Sequence, residues 1–331
     1  MNCKIGTPLA GCKSYLQRLG CFEEYMSSTL ETGIRQFLNE FSAARELNGV
    51  FTRNVESYFL EYASRISTRA AAEERPIIVG LNGAQGSGKS TLSELLAELL
   101  PEFFDVDCHI LSIDDFYLTR AQRKKLGGAI HPLLATRGVP GTHDCSRLKE
   151  TLEACSEVSG ADIALPIFDK LKDDRTRKVR KIRVGAKPTV ILLEGWCVGI
   201  PPQSNLELAV PAGSFEFSND NLGTWRNYVN EQLATTYAEI FAKIDYLSML
   251  KPPCFEAVLD WRVEQEVRLI ARRRAANGDD SIKGMNVKQV AAFVQNFRRL
   301  TCHAMTVMPA IANETWELQA DRLILAEVQR A

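Results

Sequence analysis

Residues 83–90 carry the most specific functional motif of the sequence. They read GAQGSGKS and match the pattern G-x-x-x-x-G-K-[ST] of a phosphate-binding loop, or P-loop. Glycines in such a loop let backbone N–H groups turn towards phosphate oxygens. Lys89 would reach the β- and γ-phosphates, and the hydroxyl of Ser90 would bind Mg²⁺. An ordinary glycine-rich turn is the alternative, but an apolar run at 77–79 precedes the motif and leucines at helical spacing follow it. The sequence therefore predicts a nucleoside triphosphate site, and its expected residues are Gly83, Ala84, Gln85, Gly86, Ser87, Gly88, Lys89, Ser90 and Thr91.

Acidic residues follow two further apolar runs. Asp114 and Asp115 come at the end of the run 109–113, and Glu194 comes directly after 190–193. Beside a P-loop, the aspartates suit a general base and a metal-associated carboxylate, although Asp is also favoured as a helix N-cap. Glu194 is in the place of a Walker-B carboxylate, which holds Mg²⁺ directly or through water. A solvated strand end is the alternative for Glu194.

Two polar stretches lie between these acids. Residues 131–144 and 166–175 carry Arg, Lys, His and Asp among glycines and prolines, a composition typical of binding loops. The planar guanidinium of Arg137 or Arg175 could hold a carboxylate or a phosphate through two hydrogen bonds. Each of these residues, taken singly, could equally be a surface charge.

Two further basic segments have a less specific pattern. Residues 261–274 predict a helix whose arginines recur one and two turns apart, which suits either a mobile basic lid over ATP or a solvated helical face. The run 175–183 is interpreted as an exposed hairpin or helix face, and we do not expect a nucleic-acid site there.

The elements that must position these groups follow from the apolar runs. We expect strands at 77–81, 109–113, 190–193, 246–250 and 323–325, alternating with helices, and runs of this kind are typical of a buried parallel sheet. Ligands of such sheets bind at the carboxyl ends of the strands. Residues before 73 show helical spacing with no strand signal. The prediction is an α/β fold with a P-loop NTPase core, its parallel sheet flanked by helices, a lid, and two domains: a helical N-terminal extension at 1–74 and a P-loop kinase domain at 75–331.

Composition narrows the functional classes. The chain has 331 residues and a net charge of −1, so neither nucleic acid nor an anionic membrane is expected as a partner. No apolar run approaches the length of a membrane span. The 9 cysteines include no C-x-x-C pair, which favours reduced thiols over disulfides or zinc. We expect a cytoplasmic protein with a small-molecule substrate; the basic, acid-free stretch before Glu23 leaves organelle targeting as the alternative, and the oligomeric state stays open.

The motifs together resemble a family. The P-loop, SIDDFY at 112–117, PIFDK at 166–170 and LEGW at 193–196 are similar to the phosphoribulokinase, uridine kinase and pantothenate kinase group of P-loop kinases. Within that group, RGVPGTHD at 137–144, EGWCVG at 194–199 and Gly284-Met285 resemble the plant-type D-glycerate 3-kinases and their fungal and bacterial relatives. The resemblance extends from about Pro76 to the end of the chain. Residues 308–310 and 320–322 fit the family only loosely, so the adenine contacts stay open.

The resemblance implies phosphoryl transfer from ATP to the 3-hydroxyl of D-glycerate, with Mg²⁺ as the metal. It implies that Lys89 and Ser90 bind ATP and Mg²⁺, that Asp114 is the base and that Glu194 is the Walker-B carboxylate. It also implies that Arg137, His143 and Arg175 lie near the acceptor. The expected catalytic residues are Lys89, Asp114 and Arg175, and the expected metal ligands are Ser90 and Glu194. The expected substrate-binding residues are Asp115, Tyr117, Arg137, His143, Asp169 and Lys170.

Two other functions remain open from the sequence. One is a kinase of the same group with uridine, pantothenate or another polyol as acceptor; the small number of aromatic residues in the loops favours a small acid instead. The other is a non-catalytic ATP-binding regulatory protein, which has no physical need for Lys89, Ser90, Asp114 and Glu194 together. A GTPase switch is disfavoured because the chain lacks an Asn-Lys-x-Asp motif.

Overall fold

The structure, a computed structural model, describes residues 21–157, 160–170, 172–278 and 284–330. Its strands are β1 (Ile77–Gly83), β2 (Asp107–Ser112), β3 (Asp162–Asp169), β4 (Asp174–Arg183), β5 (Thr189–Gly195), β6 (Tyr246–Lys251), β7 (Glu314–Leu318) and β8 (Ile324–Gln329). Its α-helices are α1 (Cys21–Ala44), α2 (Gly49–Asn54), α3 (Leu60–Ala72), α4 (Lys89–Phe103), α5 (Arg120–Ala129), α6 (Cys145–Cys155), α7 (Asn205–Leu208), α8 (Ser214–Asn219), α9 (Thr224–Gln232), α10 (Ala238–Phe241), α11 (Phe255–Asn277), α12 (Val287–Gln295) and α13 (Arg298–Val307). Single π-helical turns join α2 to α3 and α9 to α10.

The central sheet has six strands in the order β2-β5-β1-β6-β7-β8. The first five are parallel, and β8 pairs antiparallel to β7 at the edge. Every residue of β1 and β5 is buried, because helices cover both faces of the sheet. The expected α/β fold with a largely parallel sheet is confirmed.

The N-terminal helices pack directly on the P-loop half of the sheet. Tyr62 and Phe59 contact Trp316 of β7 edge-to-face, with ring centroids 4.9 and 5.1 Å apart. Arg45 pairs with Glu94 and Glu98 on α4. One hydrophobic core thus includes α1, α3 and α4. The division into two domains at residues 74 and 75 stays a prediction.

Two parts of the predicted strand pattern were wrong. The segment at 323–325 was expected in the parallel set, but β8 is antiparallel because only a short turn separates it from β7. Residues 166–175 were expected as a loop, but β3 and β4 form an antiparallel hairpin there, separate from the main sheet. Asp169 therefore ends β3 and Arg175 lies within β4. The exposed face of β4 agrees with the hairpin interpretation of 175–183. Within the described ranges, no helix combines the length and apolarity that a membrane crossing requires.

Candidate active site

The carboxyl ends of three adjacent strands bring the predicted groups together. Strand β5 lies between β2 and β1, and Glu194 is in register with Ser112 on one side and Leu81 on the other. The P-loop begins at Gly83, the last residue of β1, and Asp114 follows β2 by two residues. The strand order alone therefore places the phosphate loop, Glu194 and the predicted base at one edge of the sheet, where ligands of open parallel sheets bind.

The P-loop turns sharply against α11. Gly86 has a φ of +75°, and a Cβ atom there would lie 2.6 Å from the Cβ of Trp261 and 3.0 Å from its backbone. A glycine is required for both reasons. Arg322 braces the same turn from the C-terminal side: its Nε donates to the carbonyl of Gly86 at 2.6 Å, and its Nη2 donates to Glu264 on α11 at 2.6 Å. Helix α4 begins at Lys89, so its free N–H groups face the loop.

Glu194 lies beside the P-loop lysine. Its Oε2 is 3.9 Å from Nζ of Lys89 and makes no hydrogen bond within the described chain, although the residue is only 6% exposed. A buried carboxylate oxygen without a donor fits a metal ligand, and hard oxygen donors suit Mg²⁺. Ser90 is exposed at the start of α4. The described residues contain no cluster of three or more His, Cys, Asp and Glu that could hold a metal.

The carboxylate of Asp114 is held between a cation and a phenol. Its Oδ2 accepts from Nζ of Lys170 at 2.7 Å, and its Oδ1 accepts from the Tyr117 hydroxyl at 3.0 Å. Burial by itself would raise the pKa of this carboxyl, but the positive charges of Lys170 and Lys89 outweigh burial and lower it below its usual range. The charge of Asp114 in turn raises the pKa of Lys170. The predicted base is thus ionised and oriented, and Lys170 reaches it from the hairpin tip.

The other carboxylates of this region have structural partners. Asp115 accepts from the backbone N–H of Phe168 at 3.1 Å, a contact that fixes the hairpin to the segment after β2, and burial raises its pKa. Asp169 accepts from the N–H of Lys172 at 3.2 Å in the hairpin turn. Direct contact of either carboxylate with substrate stays a prediction.

Arg175 is tied to the chain segment that carries Tyr117. Its Nε donates to the Tyr117 carbonyl at 2.7 Å, and its Nη2 donates to Asp144 at 2.9 Å. These contacts favour a positioning role; contact with the transferred phosphoryl group stays a prediction.

Arg137 donates to Asp173, which also pairs with Arg123, a guanidinium with 0% exposure. Neither Arg123 nor Asp173 was singled out in the sequence, because an arginine in a polar helix and an acid in a turn look like surface charges.

The loop at 137–144 lies against the residues after β2. The N–H of Asp144 donates to the Phe116 carbonyl at 2.7 Å, and the rings of His143 and Tyr117 stack with centroids 4.3 Å apart. His143 is 4% exposed; its Nδ1 contacts the Tyr237 hydroxyl at 2.5 Å, while its Nε2 has no hydrogen-bond partner among the described residues. Tyr237 was missed because it lies on a helical turn 94 residues away along the chain.

A cavity of about 420 Å³ adjoins the P-loop on the side of the N-terminal helices. Apolar side chains from three regions line it: Phe51 and Phe59 from the N-terminal helices, Leu250 from β6 and Leu318 from β7. Polar groups at its rim include Asn54, Glu264, Gln265 and Arg322. The contribution of the N-terminal helices to this cavity could not be predicted, since its walls come from distant parts of the chain. The predicted basic helix is α11, where Arg268 pairs with Glu264 and Arg262 with Glu266; lid motion stays a prediction.

Comparison with known proteins agrees with this geometry. Residues 55–151 match the family described as the KAP family P-loop domain. A Schizosaccharomyces pombe protein described as uncharacterized kinase mug58 is 36% identical over 233 residues, which cover 68% of this chain and 79% of that protein. The chain belongs to the glycerate-kinase-like group of P-loop kinases. The probable ATP-dependent kinase TDA10 of Saccharomyces cerevisiae is 32% identical over 244 residues, covering 67% of this chain and 75% of that protein. The chloroplastic D-glycerate 3-kinase of Arabidopsis thaliana is 28% identical over 229 residues, covering 66% of this chain and 47% of that protein.

Solved structures show the same fold. D-glycerate 3-kinase from Cryptococcus neoformans superposes with a TM-score of 0.66 at 24% identity, over 83% of this chain and 100% of that chain. The YGR205w protein superposes with a TM-score of 0.63 at 26% identity, over 84% of this chain and 96% of that chain. This P-loop kinase is therefore a phosphotransferase that acts on a small molecule, as the sequence motifs predict.

Proposed function

We propose that the protein transfers the γ-phosphoryl group of ATP to the 3-hydroxyl of D-glycerate, with Mg²⁺ as the metal. The observation that carries the proposal is the placement of the Asp114 carboxylate, which follows β2 beside the P-loop and accepts from Nζ of Lys170 at 2.7 Å and from the Tyr117 hydroxyl at 3.0 Å; the positive charges of Lys170 and Lys89 favour its ionised form. A kinase needs such a carboxylate to orient the acceptor hydroxyl and take its proton. The similarity to the plant D-glycerate 3-kinase supports the choice of acceptor.

The low pKa of Asp114 is compatible with that task. The phosphoryl group passes through a loose transition state, so the attacking oxygen needs orientation more than it needs a strong base. Asp114 stays ionised across the physiological range and can accept the hydroxyl proton as the bond to phosphorus forms. The hydrogen bond from Tyr117 fixes the plane of the carboxylate, which keeps the reacting atoms in line.

The charges around Asp114 favour an acidic acceptor. Lys170 from the hairpin pairs with Asp114, and Arg137 from the loop at 137–144 pairs with Asp173, so both supply positive charge near the predicted base. Arginine and lysine are the side chains that bind a carboxylate most strongly. The aromatic residues nearby, Tyr117 and Phe168, pack on neighbouring side chains and so are poorly placed to stack on a nucleoside base.

The nucleotide would lie along the P-loop with its base in the adjoining cavity. Backbone N–H groups of residues 86–91 would bind the phosphates, and the apolar walls with polar rim groups suit a purine. The hydroxyl of Ser90 and the carboxylate of Glu194 would hold Mg²⁺, which neutralises charge on the phosphates when it is bound. The N-terminal helices would then belong to the nucleotide site as well as to the core.

The proposal is tested by measuring ADP release with Mg²⁺ and D-glycerate, L-glycerate, uridine, pantothenate or no acceptor. We expect stereoselective stimulation by D-glycerate, with 3-phosphoglycerate as the product. Equal rates with and without D-glycerate, while another acceptor stimulates, would refute the choice of acceptor and leave the kinase assignment standing. Pantothenate is the second candidate, because pantothenate kinase of Leifsonia xyli is 30% identical over 149 residues, covering 44% of this chain and 43% of that protein. ATP binding without turnover of any acceptor would favour a regulatory role.

A further inference from the structure

We infer that Tyr237 is a positioning residue: its hydroxyl fixes His143 as the imidazole tautomer that carries its proton on Nε2, so that Nε2–H donates to the carboxylate of the acceptor. The inference rests on the proposed function for the identity of that acceptor. The tautomer itself follows from contacts in the free protein.

The hydrogen bonds of Tyr237 determine the direction of its own proton. The backbone N–H of Gly141 donates to the Tyr237 oxygen at 3.0 Å, so this oxygen already acts as an acceptor. The phenol proton is then available for Nδ1 of His143 at 2.5 Å. The thiol of Cys145 also lies within hydrogen-bond reach of the hydroxyl and competes for the phenol proton, but a thiol sulfur accepts hydrogen bonds more weakly than an imidazole nitrogen. Nδ1 is therefore the acceptor, and the ring proton is on Nε2.

The surroundings of the ring keep it neutral. Burial lowers the pKa of His143 to about 3, and the nearby charge of Asp114 only partly opposes this effect. A neutral imidazole has one donor and one acceptor, so fixing Nδ1 as the acceptor makes Nε2–H a donor alone. The tautomer does not depend on pH over the physiological range.

The donor Nε2–H has no hydrogen-bond partner in the part of the chain that the structure describes. Nε2 is buried and makes no hydrogen bond among the described residues. A buried donor left unpaired is unfavourable, and such groups call for a ligand or water. The ring stacks on Tyr117, whose hydroxyl donates to Asp114, so Nε2 lies in the group of side chains that surrounds the predicted base.

Because Nε2–H of His143 can donate a hydrogen bond but cannot accept one, it binds some functional groups of a ligand and not others. A carboxylate oxygen only accepts hydrogen bonds, so it pairs with Nε2–H and would be repelled by an unprotonated Nε2. The hydroxyl that is phosphorylated must instead donate to Asp114. The two groups of a small hydroxy acid would therefore be held by different side chains, with the carboxylate at His143 and Arg137 or Lys170.

The first experiment is ¹⁵N NMR of the wild-type protein labelled at histidine, which reports the protonated nitrogen of each ring. The chain has 4 histidines, and the signal lost in His143→Gln assigns the ring. We expect the proton on Nε2, and a shift of the tautomer equilibrium in Tyr237→Phe. A wild-type ring with its proton on Nδ1 would overturn the inference, whether or not any variant folds.

The second experiment separates binding from turnover. Tyr237→Phe should raise KM for D-glycerate by up to roughly tenfold, the limit reached if the shift of the tautomer abolishes the hydrogen bond from Nε2–H to the carboxylate, with KM for ATP unchanged. The matched control is Tyr228→Phe: the half-buried ring of Tyr228 also lies near Gly141, but its hydroxyl makes no hydrogen bond among the described residues. His143→Gln retains an N–H donor and should preserve more affinity for D-glycerate than His143→Leu.

The outcomes distinguish this inference from the proposed function. If no acid stimulates ATP turnover, the proposed function fails, while the NMR spectrum still tests the tautomer. If D-glycerate is phosphorylated but Tyr237→Phe and Tyr228→Phe have the same KM for it, the inference fails alone. The loss of an acceptor for the Gly141 N–H will lower the stability of Tyr237→Phe, so thermal unfolding is measured alongside and a lower Tm by itself supports neither conclusion.

Discussion

Replacing Asp114 with Asn removes the proposed base while keeping the size of the side chain. The amide oxygen can still accept from Tyr117, but the amide NH₂ group then faces the ammonium of Lys170, which now bonds Oδ2 at 2.7 Å. General-base catalysis contributes about 10²- to 10⁴-fold, so kcat should fall by that factor, equivalent to about 3 to 5 kcal/mol of barrier. KM for ATP should change little, since Asp114 lies outside the P-loop.

The stability cost of the same change should be small. The Lys170 side chain is 58% exposed, so water replaces much of the lost ion pair and the free energy of unfolding should fall by only about 1 kcal/mol. The assay is ADP release at saturating ATP and D-glycerate, with urea unfolding in parallel. Asp162→Asn is the matched control, because that exposed carboxylate pairs with Arg183 on the hairpin, away from the site. A kcat for Asp114→Asn within a few-fold of the control would refute the role of Asp114 as base.

Three further changes test other parts of the structure. Gly86→Ala should weaken ATP binding and lower the free energy of unfolding by roughly 2 kcal/mol, because φ is +75° and the new methyl group would lie 2.6 Å from Trp261. A variant with the same Tm as the wild type, both with and without ATP, would contradict the close approach. Asn54→Ala should lower stability by about 1 to 3 kcal/mol and raise KM for ATP, because Asn54 bonds the carbonyl of Arg322 at 2.8 Å and the N–H of Ile324 at 3.0 Å beside the cavity; a normal KM for ATP would argue against a base site there. Glu314→Gln should flatten the dependence of stability on pH: burial raises the pKa of Glu314 from 4.5 to about 8, so its stabilising contribution is complete below about pH 4.5 and is lost as the pH rises towards 8. Chemical unfolding at pH 5.5 and 8 checks this slope, and equal slopes in the two proteins would show that Glu314 is ionised in the folded state.

The local parts of this protein could be read from its sequence. The P-loop, the acids after β2 and β5, and the helix after Lys89 each depend on a few neighbouring residues, and the structure has all of them at one edge of a parallel sheet. Buried parallel strands are continuous apolar runs, so β1, β5 and β6 were found with nearly correct bounds. The roles of the individual site residues stay predictions.

The parts that were missed depend on distant contacts. Strand β7 reads Glu-Thr-Trp-Glu-Leu, too polar to be recognised as buried, because its acid Glu314 is satisfied by Arg65 and Tyr246 from elsewhere in the chain. Tyr237 looked like any helical aromatic residue until the fold placed it against His143. Periodicity and composition report which face of an element is buried but not what that face will meet.

The bonds between Asn54 and the turn before β8 have a consequence for synthesis on the ribosome. They join residues 268 and 270 positions apart, and Arg322 from that turn also holds the carbonyl of Gly86. Asn54 and the P-loop therefore wait for residues 322–324 to leave the exit tunnel before these partners exist. Contacts this far apart in sequence slow folding, and nascent chains that end before residue 314 would leave Phe59 and Tyr62 without Trp316 and exposed to other hydrophobic surfaces. Such truncated chains are thus expected to aggregate or engage chaperones, and to gain nucleotide affinity only once residues 314–324 are present.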